Sequence, residues 1–126
     1  MSAGQYCVFN RTKNTVLASE VELVDTGWTR MKGLLGRKAQ DFPSGKGLWI
    51  VPSQGVHTIG MSFPIDVVYL DSEYRVVHLY HALPPFRIAS VKVKARSVIE
   101  LPAGTLAQTQ TYVGDVLEIT AIRVSA

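Results

Sequence analysis

The segment Ile65-Asp-Val-Val-Tyr-Leu70 constrains this chain more than any other, because it is a short apolar run interrupted by a single charge. Successive side chains of a strand point to opposite faces, which sets Asp66, Val68 and Leu70 on one side and Ile65, Val67 and Tyr69 on the other. Both faces are apolar enough to need cover, so the segment is expected at the centre of a sheet with a layer on each side. Arg75 to His81 follows across Ser72 and Glu73 and makes a hairpin with it. A two- or four-residue loop pairs Leu70 with Arg75 and sets Asp66 opposite Leu79, whereas a three-residue bulged loop shifts that register. Asp66 is then an inward-facing anion. An isolated buried carboxylate costs several kcal/mol, so a partner is required, and Arg30, Arg37 and His57 are the expected ones.

The rest of the chain shares this punctuated, period-two character. Tyr6 to Phe9, Thr15 to Ala18, Glu20 to Val24, Leu48 to Val51, Arg96 to Leu101 and Val116 to Val124 are predicted strands. Asn10 to Asn14 supplies turn residues for a first hairpin. Between Thr26 and Arg37 the period changes: Trp28, Met31, Leu34 and Leu35 fall at helical spacing, with Asp25 or Thr26 as N-cap and Gly36 as terminator. A second short helix or turn is expected over Thr105 to Thr111. Val91, Val93 and Ala95 alternate with Lys92, Lys94 and Arg96, the pattern of an edge strand protected by lysines or of a face for an anionic partner. The predicted class is mainly β (α+β): a compact, barrel-like single domain over residues 1–126, of mostly antiparallel strands with one or two short helices.

Hydrophobic residues make up 47% and charged residues 18% of the 126, enough apolar surface to offset the entropy of ordering one domain. Cys7 is the sole cysteine, which excludes an internal disulfide and a cysteine-based zinc cluster. The first residues show no basic segment followed by an apolar stretch, and no apolar run nears the roughly 20 residues of a membrane span. The expectation is a soluble cytoplasmic protein without a membrane segment. A formal charge of +3 favours anions weakly and does not select nucleic acid, which is not an expected partner.

Several groups are candidates for chemistry. His57, Ile59, Met61 and Phe63 share one side of a strand-like alternation, so His57 is either a structural histidine or one oriented by Asp66 in a cleft. Asp66 and Glu100 could form a carboxylate pair, although Arg30 and Arg37 are at hand to neutralise them. Arg30 and Arg37 lie on nearly the same side of the predicted helix, with Gly33 between them. That face could hold a carboxylate or phosphate, or could simply pack on the sheet with its arginines paired. His57, His78 and His81 are scattered on strand offsets and give no metal signature, and no cofactor is expected. Gly33-Leu-Leu-Gly36 matches the minimal loop of KH domains without their surrounding helices. No GxSxG, P-loop or GxGxxG is present.

Arg30-Met-Lys-Gly-Leu-Leu-Gly-Arg37, Gly47-Leu48, His57-Thr-Ile-Gly-Met-Ser-Phe-Pro-Ile-Asp-Val-Val-Tyr-Leu-Asp71, Glu100-Leu-Pro-Ala-Gly104 and Gly114-Asp115 occur in this order. Together they resemble the family of domain of unknown function 192, from about Val21 to Ile119. The resemblance implies a compact β-rich, barrel-like domain with one or two short helices, and no particular activity. Many relatives carry glycine at the place of Tyr74, so tyrosine there either costs on the order of 1 kcal/mol in a left-handed backbone or signals a different turn. Others carry a cysteine at or near Ser53, and its absence here argues against a thiol nucleophile.

The reading that follows is a small binding module for an anionic or polar ligand or a short protein segment, with Arg30, Gly33, Arg37, His57 and Met61 as ligand-binding residues. The alternative is a small hydrolase- or lyase-type enzyme using His57 with Asp66 or Glu100.

Overall fold

The computed structural model describes residues 5–25 and 37–122. The expected helix over Thr26 to Gly36, with Arg30 and Gly33, lies outside the described residues.

Strands β1 (Gln5–Asn10), β2 (Thr15–Val24), β3 (Lys46–Ile50), β4 (Ile65–Leu70), β5 (Val76–Leu83), β6 (Ser97–Pro102) and β7 (Leu117–Ala121) form one sheet in the order β5-β4-β6-β3-β2-β1-β7. All neighbours are antiparallel except β2 and β3. The sheet curls into a half-barrel whose two edge strands meet at one end. There Arg75 bridges Val116, and the Val76 amide donates to Asp115 O at 2.8 Å. A five-residue helix, α1 (Thr105–Thr109), follows β6. The expected mainly β class is what the chain forms.

β4 is the pivot. All six of its residues are buried, and the two faces read from its alternation are the faces observed. Ile65, Val67 and Tyr69 join Leu48, Ile50, Phe63 and Val98 in one apolar cluster. Val68 and Leu70 join Val8, Val21, Ile99, Leu101 and Leu106 in a second cluster, across the sheet. Each such side chain contributes roughly 1.5–3 kcal/mol of burial. Gly47 keeps β3 tight between its neighbours: a Cβ there would lie 3.2 Å from both Leu101 Cδ2 and Val21 Cγ2.

Three expectations need correction. Leu70 pairs with Val76 and Val68 with Leu79, so Asp66 does not face Leu79. The turn has three residues between Asp71 and Arg75, with Tyr74 at φ 61, the bulged loop that shifts the register. Tyr74 therefore takes the left-handed backbone, and its ring packs edge-on to Trp49 at 6.1 Å, which offsets that strain. The two early segments of β2 are one continuous strand. Finally, 91–95 is no edge strand: Ala95 N–H donates to Lys92 O at 3.0 Å, closing a turn, and Val91 and Val93 are both exposed.

Candidate functional site

Asp66 is buried as expected, but its partners are neither arginine nor histidine. Its Oδ1 accepts from the Ala82 N–H at 2.8 Å, and its Oδ2 from the Gly104 and Leu106 N–H groups at 3.1 and 2.9 Å. The physical reason lies in α1, whose N-cap is Gly104, a residue with no side-chain acceptor. The free amides of the first turn are satisfied by a carboxylate reaching over from β4.

Glu100 occupies the other face, in register with Leu48 of β3 and Val67 of β4. It is only 5% exposed. Burial, with no hydrogen bond from the described residues to counter it, pushes its carboxyl up to about 7. Asp66 and Glu100 thus lie on opposite sides of the sheet and form no carboxylate pair. Arg37 reaches neither, since its guanidinium lies 3.9 Å from Glu22. It lines a small hollow with Glu20, Glu22, Asp41 and Lys46, where opposite charges already offset one another.

The His57 segment is not a strand. His57 makes one isolated bridge to Ile88, and Met61 N–H donates to Thr58 O at 3.1 Å through a turn with Gly60 at φ 87. That turn breaks the expected alternation: His57 and Ile59 are exposed, whereas Met61 and Phe63 sink into the core. Met61 is therefore buried in the first apolar cluster. Among the described residues no hydrogen bond joins His57 to Asp66 or Glu100.

His57 belongs to a surface that sequence patterning singled out only in part, through the alternation of Val91, Val93 and Ala95 with Lys92, Lys94 and Arg96. Residues 52–63 and 84–96 lie side by side, laced by backbone bonds: Ser53 N–H to Arg96 O (3.0 Å), Lys92 N–H to Gln54 O (2.9 Å), Ala89 N–H to Val56 O (2.9 Å) and Thr58 N–H to Arg87 O (2.8 Å). Thr58 Oγ adds a bond to Pro84 O. The ribbon is anchored to the sheet through Ser90. Tyr69 OH donates to Ser90 O at 2.7 Å, and Tyr80 OH accepts from the Ser90 amide at 2.9 Å. Burial and the neighbouring Tyr80 raise the Tyr69 hydroxyl to about 12, so it stays a donor. His78 packs edge-on to both rings, and burial, then the charge of Lys92, hold its imidazole below the usual histidine range.

The outer side of this ribbon is both apolar and basic. Phe86, Ile88, Val91 and Val93 are 66%, 80%, 71% and 80% exposed, with Ile59 beside them. Gln54, Val56, His57, Ile59, Ile88 and Val91 border a shallow hollow of about 440 Å³. Arg87, Lys92, Lys94 and Arg96 interleave with the apolar residues, and among the described residues none has a carboxylate partner. One signal in the sequence could have found it: from Tyr74 to Ile99 there is no Asp or Glu. Among the described residues no three His, Cys, Asp or Glu side chains gather as a metal site would need, and no helix is long and apolar enough to cross a membrane.

Sheet order, curl and the laced ribbon define a small half-barrel domain of mainly β class. Its fold is that of a protein of unknown function from Novosphingobium aromaticivorans, with a TM-score of 0.77 at 18% identity over 90% of this chain and 83% of that one. The chain belongs to the family of domain of unknown function 192, described as "Uncharacterized ACR", whose pattern matches residues 8–119. It is 33% identical to a UPF0127 protein of Pyrococcus horikoshii over 113 residues, covering 86% of this chain and 94% of that protein. A UPF0127 protein of Thermococcus sibiricus is 30% identical over 116 residues, covering 88% and 73%.

Proposed function

We propose that this protein is a small non-enzymatic binding module whose recognition surface is the outer side of the ribbon formed by residues 52–63 and 84–96, taking an anionic or polar ligand or a short protein segment. The observation that carries this reading is the coincidence there of exposed apolar side chains with cations that, among the described residues, no carboxylate neutralises. Exposed apolar surface of this kind marks a site of interaction more often than a solvated face. The enzymatic alternative finds less support, because Asp66 accepts from three amides and Glu100 faces the opposite layer with no base or nucleophile among the described residues bonded to it.

The reading is tested by following backbone amide resonances while adding citrate, inorganic phosphate and a glutamate-rich peptide. Saturable shifts confined to residues 52–63 and 84–96, and lost in Ile88→Ser, are the expected result. Shifts that instead centre on Glu20, Glu22, Arg37 and Asp41, or turnover of a substrate abolished by His57→Ala, would overturn it.

A further inference from the structure

Resting on that reading, we infer that the ribbon's partner is an extended acidic polypeptide segment in which carboxylates alternate with apolar side chains. Charge comes first. Arg87, Lys92, Lys94 and Arg96 share one irregular ribbon, without a carboxylate partner among the described residues, so the complementary surface is anionic. A small inorganic anion would satisfy the cations and leave Ile59, Ile88 and Val91 in water. The ligand must therefore carry apolar groups at short spacing from its charges.

Shape narrows the class further. The hollow between Val56, Ile59, Ile88 and Val91 holds about 440 Å³, within the range of pockets that take one or two side chains. A concavity of this kind accepts a projecting group, which an extended peptide presents at every second residue. A bilayer surface presents none. Nucleic acid is disfavoured by the same inventory, since single-strand binding needs several stacking platforms and Phe86 is the only Phe, Tyr or Trp in the two segments besides the buried Phe63. Order supplies the last step. The cross-loop bonds hold the two segments in place before a ligand arrives, and Ser90 ties them to Tyr69 and Tyr80, so docking requires little rearrangement.

The experiment uses fluorescence anisotropy with a labelled twelve-residue peptide alternating Glu and Leu. It is compared with a Glu/Ser peptide of equal charge, a Lys/Leu peptide, and vesicles of phosphatidylserine with phosphatidylcholine. The Glu/Leu peptide is expected to bind at least tenfold more tightly than Glu/Ser, and Lys/Leu not at all. Ile88→Ser should weaken it about tenfold. The double change Lys92→Glu with Lys94→Glu should do the same and flatten its salt dependence. Ile88 and Lys94 are exposed and Lys92 is half-buried with its backbone N–H on Gln54 O, and unchanged thermal melts exclude misfolding as the cause. Equal binding of Glu/Ser and Glu/Leu, or vesicles that displace the peptide, would overturn the partner class. If phosphate or citrate still moves the ribbon resonances in that event, the binding-module reading stands; if nothing moves them, both fall.

Discussion

The strands around β1 and the laced ribbon handle charge in opposite ways. Near β1, Arg11 lies 4.0 Å from Glu118, Lys13 3.0 Å from Asp115 and Arg37 3.9 Å from Glu22, and Lys46 pairs with Glu20. The buried Asn10 there bonds Thr111 and Asp115 at 3.0 and 2.9 Å. On the ribbon the cations have no carboxylate partner among the described residues, and Phe86, Ile88, Val91 and Val93 are exposed. One region spends its polar groups on itself, which suits a scaffold. The other leaves its charged and apolar groups facing water, as the proposed recognition surface requires.

The comparison breaks most visibly at Asp66. Its replacement by alanine strands three amides, that of Leu106 buried and those of Ala82 and Gly104 partly so, and should cost about 4 kcal/mol in a denaturant melt, whereas a loss under 1 would mean those amides find water.

Next comes Glu100, a buried acid outside either network. Its folded value of about 7 lies above the ordinary 4.5, so its contribution is fully present below 4.5 and is lost as pH rises through 7. Glu100→Gln should therefore match the parent in acid and exceed it by about 3 kcal/mol at alkaline pH. Melts across pH will show whether the gap opens in that window.

Asp115 slopes the other way. Burial would raise its carboxyl, but hydrogen bonds from Asn10, the Tyr112 amide and Lys13, with the lysine charge, outweigh that and hold it below the ordinary 3.8. Its contribution is present above 3.8 and is lost as pH falls through the lowered value. Asn10→Ala should cost about 2 kcal/mol near neutrality and make the acid loss shallower, as urea titrations at several pH values can establish.

The smallest stability effect is expected on the ribbon. Ile88→Ser should change stability by no more than about 0.5 kcal/mol, a contrast with Asp66 that calorimetry can measure directly.

How far the sequence carried depended on whether local rules decided the outcome. The two faces of β4 were legible because strand alternation is geometric and both faces are apolar. Its register was not, since it turned on whether Tyr74 would take a left-handed backbone, a choice helped by a distant contact with Trp49. Asp66 was correctly placed inside, but its partners come from Ala82, Gly104 and Leu106, backbone groups that carry no mark in the sequence. At 91–95 the alternation of valine with lysine imitated a strand although both valines are exposed, because among the described residues no neighbouring strand lies there to bury one side. The candidate site moved for the same reason. His57 belongs to it, but its companions are set by cross-loop bonds rather than by periodicity.

The three amides on Asp66 also bear on the order of folding. A helix of five residues has almost no stability alone, and α1 gains its start from a carboxylate 38 and 40 residues earlier in the chain. That carboxylate is in place only once β4 has zipped against β6, where Asp66 faces Leu101. The last turn of the chain to become helical should thus wait on a long-range ladder, reversing the usual precedence of local over distant contacts. Kinetic φ-values near zero at Ala107 and Gln108, alongside high values at Val67 and Ile99, are the signature expected of this sequence of events.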